Sequence, residues 1–431
     1  MSATSDILDF AAAPHALPKH VRDDAIRLLA DTLAVGAAGA LAPGADATLT
    51  TARVFGSGSE ARPLGSNERL PAPSAAFVNG YRIHCLEWDA VHEPAVVHAM
   101  SVVTAALGAA TDRRGGTDAD EVLAALAVGV DIACGLGIAS DSALSFFRPA
   151  TAGLIGAALA VARIEKLPDE SFADVLGLAY SQCAGTMQAH VEGSFALPFQ
   201  IGNAARAAIV AVDLVKGGFT GPHDVLEGPF GYFKLFDTGD LARYTTTLGK
   251  VWRISEISTK PYPSGRASHA MLGALADIAL ASKSITHIEA LVPPLVLRLV
   301  GRPMRTDMTP SYARLCLPFL CALMLTDGTI NPRRFISETF ANPKLNALAA
   351  RVTVTLDENA DPNALSPQHL RITMADGDMI KRAIPDTLGS PFAPLTAGQS
   401  AAKYDLARAL AGEVADPRLF TDPLAYFTES K

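Results

Sequence analysis

The chain has 431 residues, 49% hydrophobic and 19% charged, and its 36 Lys and Arg against 44 Asp and Glu leave a net charge of -8 at pH 7. This composition excludes a disordered chain, and with no Lys/Arg run longer than a pair it excludes a nucleic-acid binder that lives on phosphate contacts. At about 100–200 residues per domain, the length suits two or three domains.

The opening segment MSATSDILDF has neither a basic n-region nor an apolar h-region, so no signal peptide is expected. Cys85, Cys134, Cys183, Cys316 and Cys321 show no CxxC spacing; reduced thiols in a cytoplasmic protein are expected. Residues 21–40 place Ile26, Leu29 and Leu33 on one helical stripe, flanked by Leu28 and Val35, with Asp23 and Asp24 near the start. Thr117, followed by Asp118, Asp120 and Glu121, predicts the N-cap and acidic first turn of a helix over 117–139. The apolar stretch from Val122 to Ala139 contains Asp131 and several small residues, which fits a buried core helix better than a membrane span. Residues 151–164 and 204–216 are Ala-rich and suit closely packed helices. Pro168-Asp169-Glu170 opens another helix, expected to run through Leu178 to Cys183. A helical bundle is therefore expected from the N-terminus to about residue 245.

The pattern changes after Trp252. Val352, Val354 and Leu356 alternate with threonines, and Leu370, Ile372 and Met374 alternate with Arg371 and Thr373. Asp376-Gly377 supplies a tight turn into 379–384, so a hairpin is expected. A third strand is expected over 287–300, broken by Pro293-Pro294, with helices over 266–281 and 311–326 among the strands. Residues 399–411 return to helical periodicity.

Three polar clusters stand out from apolar surroundings. Residues 79–98 hold His84, Glu87, Asp89, His92, Glu93 and His98, with His84, Glu87 and Val91 spaced to share one helix face. Such a cluster suits a metal, a hydrogen-bonded seam or dimer contact, or an acid/base and substrate-binding segment; the spacing matches no standard metal motif, and no metal is expected. Lys260-Pro261-Tyr262-Pro263-Ser264-Gly265-Arg266, with His269, forms a rigid turn at the start of a helix; it is either a carboxylate-binding site or an exposed basic turn. Arg148, at or before a helix start, is either a bidentate carboxylate ligand or a solvated arginine. GxGxxG after a strand, GxxxxGK[ST], HExxH and GxSxG are absent, which weighs against a nicotinamide enzyme, a kinase-like enzyme and a serine hydrolase.

These clusters carry a resemblance to the MmgE/PrpD family, whose members include 2-methylcitrate dehydratases, cis-aconitate decarboxylase and iminodisuccinate epimerase. The segment from Leu29 to Gly36 resembles the family's opening helix. Asn79-Gly80 through His84 and Asp89 resembles NGxxxHxLDFDD. Gly202-Asn203-Ala204-Ala205 matches GxAA, and Lys260-Pro261-Tyr262-Pro263 with Arg266 and His269 resembles KPYPxCRxxH. The glycines from Gly217 to Gly231 and the prolines from Pro391 to Pro394 follow the family order. The resemblance implies a mainly α fold: a large all-helical domain over 1–250, a smaller α+β lid domain over 251–398, and a segment over 399–431 returning to the helical domain. It also implies a homodimer, a small carboxylate substrate, and an interdomain cleft that needs no metal or other cofactor. Neither a membrane nor nucleic acid is an expected partner.

By that resemblance His98, Lys260, His269 and Asp89 are the expected catalytic residues. His84, Glu87, Arg148, Gln200 and Arg266 are the expected substrate ligands. Departures from the family pattern stand at Glu87, Val91, Arg148, Leu197, Gly265 and Phe319, where Arg148 replaces a histidine, Leu197 a lysine, Gly265 a cysteine and Phe319 a tyrosine. The family's reactions share formation of a carbanion next to a carboxylate. The expected function is a metal-independent, dehydratase-like lyase on a small di- or tricarboxylic acid. An isomerase, epimerase or decarboxylase, or a non-catalytic dimeric binding protein, are the alternatives.

Overall fold

Small residues decide how the first half packs. Backbones can approach closely only where no side chain intervenes, and two pairs of facing glycines exploit this. The computed structural model, which describes residues 2–278, 285–359 and 361–429, lays the helix Ala119–Ala139 against Arg148–Ile164. A Cβ on Gly156 would lie 2.2 Å from the Gly129 carbonyl oxygen. Likewise Ala72–His84 lies against Ala196–Lys216, where a Cβ on Gly80 would sit 2.8 Å from the Gly202 Cα. These contacts, with Lys19–Ala38 and Ala99–Arg113, build the main apolar core. Ala407, Ala411, Leu419, Tyr426 and Phe427 from the chain's end join that core.

Ala119–Ala139 is long and apolar enough to cross a membrane, but 94% of its apolar window is buried within this chain. Asp131 on it accepts from the Tyr244 hydroxyl at 2.8 Å and the Arg253 backbone N–H at 2.9 Å. Its N-cap is Asp118 rather than Thr117, because the Asp118 carboxylate accepts from the backbone of Asp120 and Glu121. In the helix Arg148–Ile164 every residue except Arg163 is buried. The apolar partner that an Ala-rich helix needs is thus found inside the chain, and this helix gives no argument for a dimer.

A second core surrounds a four-stranded sheet. Ile285–Val292 pairs in parallel with Val352–Leu356 and antiparallel with Gln368–Met374, which forms the expected hairpin with Met379–Ile384. The helices His269–Ala276 and Leu317–Asp327 pack on this sheet. The fold is mainly helical with this one small sheet.

Four boundaries differ from the sequence reading. The expected strand over 287–300 ends at Val292, and Pro294–Val300 is a helix, because a proline at the first helical turn sacrifices no hydrogen bond. The helix expected from Pro168 to Cys183 is a 3-10 turn, Asp169–Ser171, followed by Phe172–Tyr180. The helix expected over 311–326 splits into Pro310–Ala313 and Leu317–Asp327, the latter opened by Pro318. That over 266–281 is a 3-10 turn, Arg266–Ser268, then His269–Ala276; its last expected residues, 279–281, lie outside the described residues.

Candidate active site

The helix Ala72–His84, packed on Ala196–Lys216, ends at His84. The chain then turns sharply. Glu87 adopts φ 54°, a left-handed conformation uncommon for a residue with a side chain. The expectation that His84 and Glu87 share a helix face is therefore wrong in detail. They meet because the chain folds back: His84 Nε2 lies 3.3 Å from Glu87 Oε1. Lys260, fully buried, holds this turn from the other side, donating to the Glu87 carbonyl at 3.0 Å and to Glu87 Oε2 at 3.3 Å. Trp88 Nε1 donates to the Pro261 carbonyl at 3.2 Å, so the proline-flanked turn and the 84–89 segment form one unit.

Asp89, with no exposed surface, is the centre of that unit. It accepts from His84 Nδ1 at 2.9 Å and from the Ser101 hydroxyl. His98 Nδ1 stands 3.0 Å from its Oδ2, and Lys260 Nζ lies 3.8 Å from its Oδ1. The two imidazole centroids are 4.8 Å apart.

The electrostatics follow from this geometry. Burial opposes a charge on His84, but Asp89 and Glu87 overcome it and raise its pKa to about 10. His84 is thus an imidazolium at neutral pH. Burial pushes His98 the other way, below the ordinary histidine value, aided by Lys260 and opposed by Asp89. Neutral His98 donates from Nδ1 to the Ala90 carbonyl at 3.1 Å, and since a carbonyl only accepts, the lone pair is on Nε2. Burial would raise both carboxylates, but His84 beside them, with Lys260, holds Glu87 and Asp89 well below the usual carboxylate range. Two carboxylates therefore balance one ammonium and one imidazolium. One cluster holds a base and an acid side by side, with opposite protonation.

His84, Glu87 and His98 form the polar end of a cleft of about 60 Å³. Its other walls are mostly apolar, including Val91, Val96, Leu144, Phe147, Met187, Leu197, Leu315 and Leu365. Of the six departures noted above, Glu87, Val91, Arg148, Leu197 and Gly265 line this cleft; Phe319 lies in the second core between Phe335 and Phe340. A larger cavity of about 280 Å³ lies around Arg27, Asp31 and Lys403, but its buried Lys403–Asp31 pair, 2.5 Å apart, leaves no free base there.

The remaining expected residues divide differently. Lys260 and Asp89 lie beneath the cleft floor and do not line it. Arg148 reaches the wall, but its Nε donates to Asp237 at 2.8 Å, Nη1 to the Ala95 carbonyl and Nη2 to the Ser142 carbonyl, both at 3.1 Å. Buried Asp237 and the two carbonyls together take up the guanidinium donors expected to bind a substrate carboxylate. Replacing Arg148 with methionine should therefore cost about 3–5 kcal/mol of stability by urea denaturation, because it strands a buried charge; a substrate KM should change little.

Arg266 is tied up in the same way by Glu93 and the Thr387 and Leu388 carbonyls. His269 is fully buried against Ser264, outside the cleft lining, and held below the usual histidine range by burial and by Arg266 and Lys260. Gln200 donates to the Thr186 carbonyl at 3.3 Å and does not line the cleft. The basic turn at 260–269 thus offers no free cation to a carboxylate, because Lys260 and Arg266 are each paired inside the protein and His269 is buried and neutral.

His84, Asp89 and His98 offer ligand atoms within 4.8 Å of one another, enough to hold a metal ion. Here both Nδ1 atoms carry protons directed at Asp89 and Ala90, and Lys260 adds positive charge next to Asp89. His190 also lines the cleft, although no motif marks it in the sequence.

The chain as a whole is similar to known proteins. The MmgE/PrpD N-terminal domain matches residues 9–245, and the MmgE/PrpD C-terminal domain matches 262–418. A cis-aconitate decarboxylase of Aspergillus terreus is 27% identical over 96% of this chain and 90% of its own length. The cis-aconitate decarboxylase of Homo sapiens is 26% identical, covering 85% of this chain and 80% of its own. That of Mus musculus is 25% identical, covering 85% and 79%.

Proposed function

The chain belongs to the MmgE/PrpD family, and from that premise we propose that it is a metal-independent lyase acting on a small carboxylic acid through proton abstraction next to the carboxylate. The observation that carries this reading is the pair of histidines held within 3.0 Å of buried Asp89 in surroundings that drive their pKa values in opposite directions. Two titratable groups whose surroundings drive their pKa values apart are suited to act as base and acid.

His98 Nε2 takes the proton from the carbon next to the carboxylate, and the electron pair spreads onto the carboxylate oxygens. It then expels a hydroxyl group from the adjacent carbon, which leaves as water with the proton of His84 Nε2. The products are an unsaturated acid and water. Lys260 keeps Asp89 and Glu87 ionised and so keeps the two histidines apart in charge.

The apolar walls and the spent arginines support an acid with an apolar flank over a tricarboxylate, since each further carboxylate would lack a free cation in the cleft. They also favour a second reading. A dry wall around a carboxylate assists loss of CO2, as the relatives' name implies for them, with His84 then protonating the carbon. The residues around the sheet act as a lid over the cleft in either case. A homodimer in the cytoplasm completes the proposal; the exposed Phe55 and Phe199, which flank Phe77, form the face for a second copy.

Incubation of a panel of small hydroxy acids and unsaturated acids in deuterated buffer with a chelator, followed by NMR, tests this. An unsaturated product with loss of water supports the lyase. Released CO2 and one incorporated deuterium favour the second reading. Deuterium exchange without net product marks an epimerase, and no change in any acid overturns the proposal.

A further inference from the structure

His190 lies in the short helix Gln188–Glu192, on the cleft wall shared with His84 and His98. Arg302, two residues beyond the helix Pro294–Val300, reaches it from the sheet side of the cleft. Its Nη2 donates to the His190 carbonyl at 2.9 Å and lies 3.3 Å from His190 Nδ1. A guanidinium can only donate, so Nδ1 must carry the lone pair and the ring proton must sit on Nε2. Tyr312 supports the arginine from its other face, with its ring 4.8 Å from the guanidinium carbon. Among the described residues, none accepts a hydrogen bond from His190 Nε2. Burial, then Arg302, lowers the His190 pKa to about 3, so the ring stays neutral through the working range. Arg302 and Arg298 face it from the sheet side, and Glu87 and His84 from the helical side.

We propose that His190 presents its Nε2–H to a carboxylate oxygen of the bound acid, with Arg302 as the positioning residue that fixes the tautomer across the cleft. The inference rests on the acid-binding reading above and deepens it. Proton abstraction builds negative charge on the carboxylate oxygens. A neutral donor already aimed at them gains strength as that charge grows, without surrendering its own proton. It also answers the loss of Arg148 and Arg266 as carboxylate ligands. The cleft thus adds a fixed dipole to the His84 imidazolium where neither arginine is left free, which again favours a substrate with few charges.

The test uses full-length protein labelled with 15N-histidine, the His190 signals being assigned by their loss in His190→Gln. The expected spectrum shows a protonated Nε2 and a bare Nδ1 that persist to pH 5, an Nε2–H shift on addition of malate, succinate or crotonate, and, in Arg302→Met, a ring that is still neutral but populates both the Nδ1–H and the Nε2–H tautomers. Turnover should fall about 10²–10³-fold in His190→Phe. His190→Gln, which keeps an N–H at nearly the same place, should stay within about tenfold of the parent if one donor is what matters.

A His190 ring that titrates normally in the parent protein overturns the tautomer assignment. Acids that bind and turn over while the His190 signals stay fixed and His190→Phe keeps full activity overturn the inference alone. Failure of every acid to bind or react removes the lyase proposal, and this inference with it.

Discussion

Replacing Asp89 with asparagine should lower turnover by roughly three to four orders of magnitude, with the chain still folded by circular dichroism. The size follows from what the carboxylate does. It keeps His84 protonated, with Nδ1 2.9 Å away, and it faces the Nδ1 of His98 at 3.0 Å. An asparagine of the same shape removes the charge, so His84 loses the larger part of the attraction that keeps it an imidazolium. One substitution therefore disables both the acid and the orientation of the base, and each alone is worth about 10²–10⁴-fold. His84→Gln and His98→Gln should each cost less than Asp89→Asn, and their combination should cost no more than Asp89→Asn does, because groups acting as a unit are not additive.

Lys260→Met should lower stability by about 3–5 kcal/mol in urea denaturation, because it leaves Glu87 and Asp89 buried with one cation between them. The methionine keeps most of the volume, so the loss reports charge and hydrogen bonding. It also removes the donor to the Glu87 carbonyl that secures the left-handed turn. The sign with pH is fixed by the directions of the shifts. Glu87 and Asp89 have depressed values in the folded state, so their contribution is present above the ordinary carboxylate range and fades as the pH falls through it. His84 has a raised value, so its contribution is full below ~6.5 and fades as the pH rises toward about 10. The parent protein should be most stable between these limits.

The residues of the cluster were legible in the sequence, while their arrangement was only partly so. His84, Glu87, Asp89 and His98 stand within fifteen positions, and their types announce acid/base chemistry. What sequence spacing could not convey is that the helix stops at His84, so that Glu87 returns to it through a left-handed turn held by Lys260, 173 positions away. The same limit explains Arg148 and Arg266. A local reading sees a cation at a helix start; only the fold reveals that Asp237 and Glu93 have already neutralised them. His190 is the converse case. Alone in a stretch without a motif, it acquires a role from Arg302, 112 residues further along. The fold was easier to read because periodicity is local, and its errors fell at element starts: at Pro294 and Pro318, which open helices, and at the 3-10 turns Asp169–Ser171 and Arg266–Ser268.

The most direct test of the account is the pH dependence of solvent deuterium exchange at the carbon next to the carboxylate, measured by NMR on an acid that the protein turns over. With His98 as base and His84 as acid, exchange coupled to turnover should rise with unit slope to a plateau whose lower limb lies below pH ~6.5. It should fall again near pH 10, the value to which Asp89 and Glu87 raise His84 against the effect of burial. His98→Gln should slow the exchange by about 10²–10³-fold without unfolding the chain. Exchange that continues at the parent rate in His98→Gln, or a profile with no limb near 10, would contradict the assignment of base and acid on which the account rests.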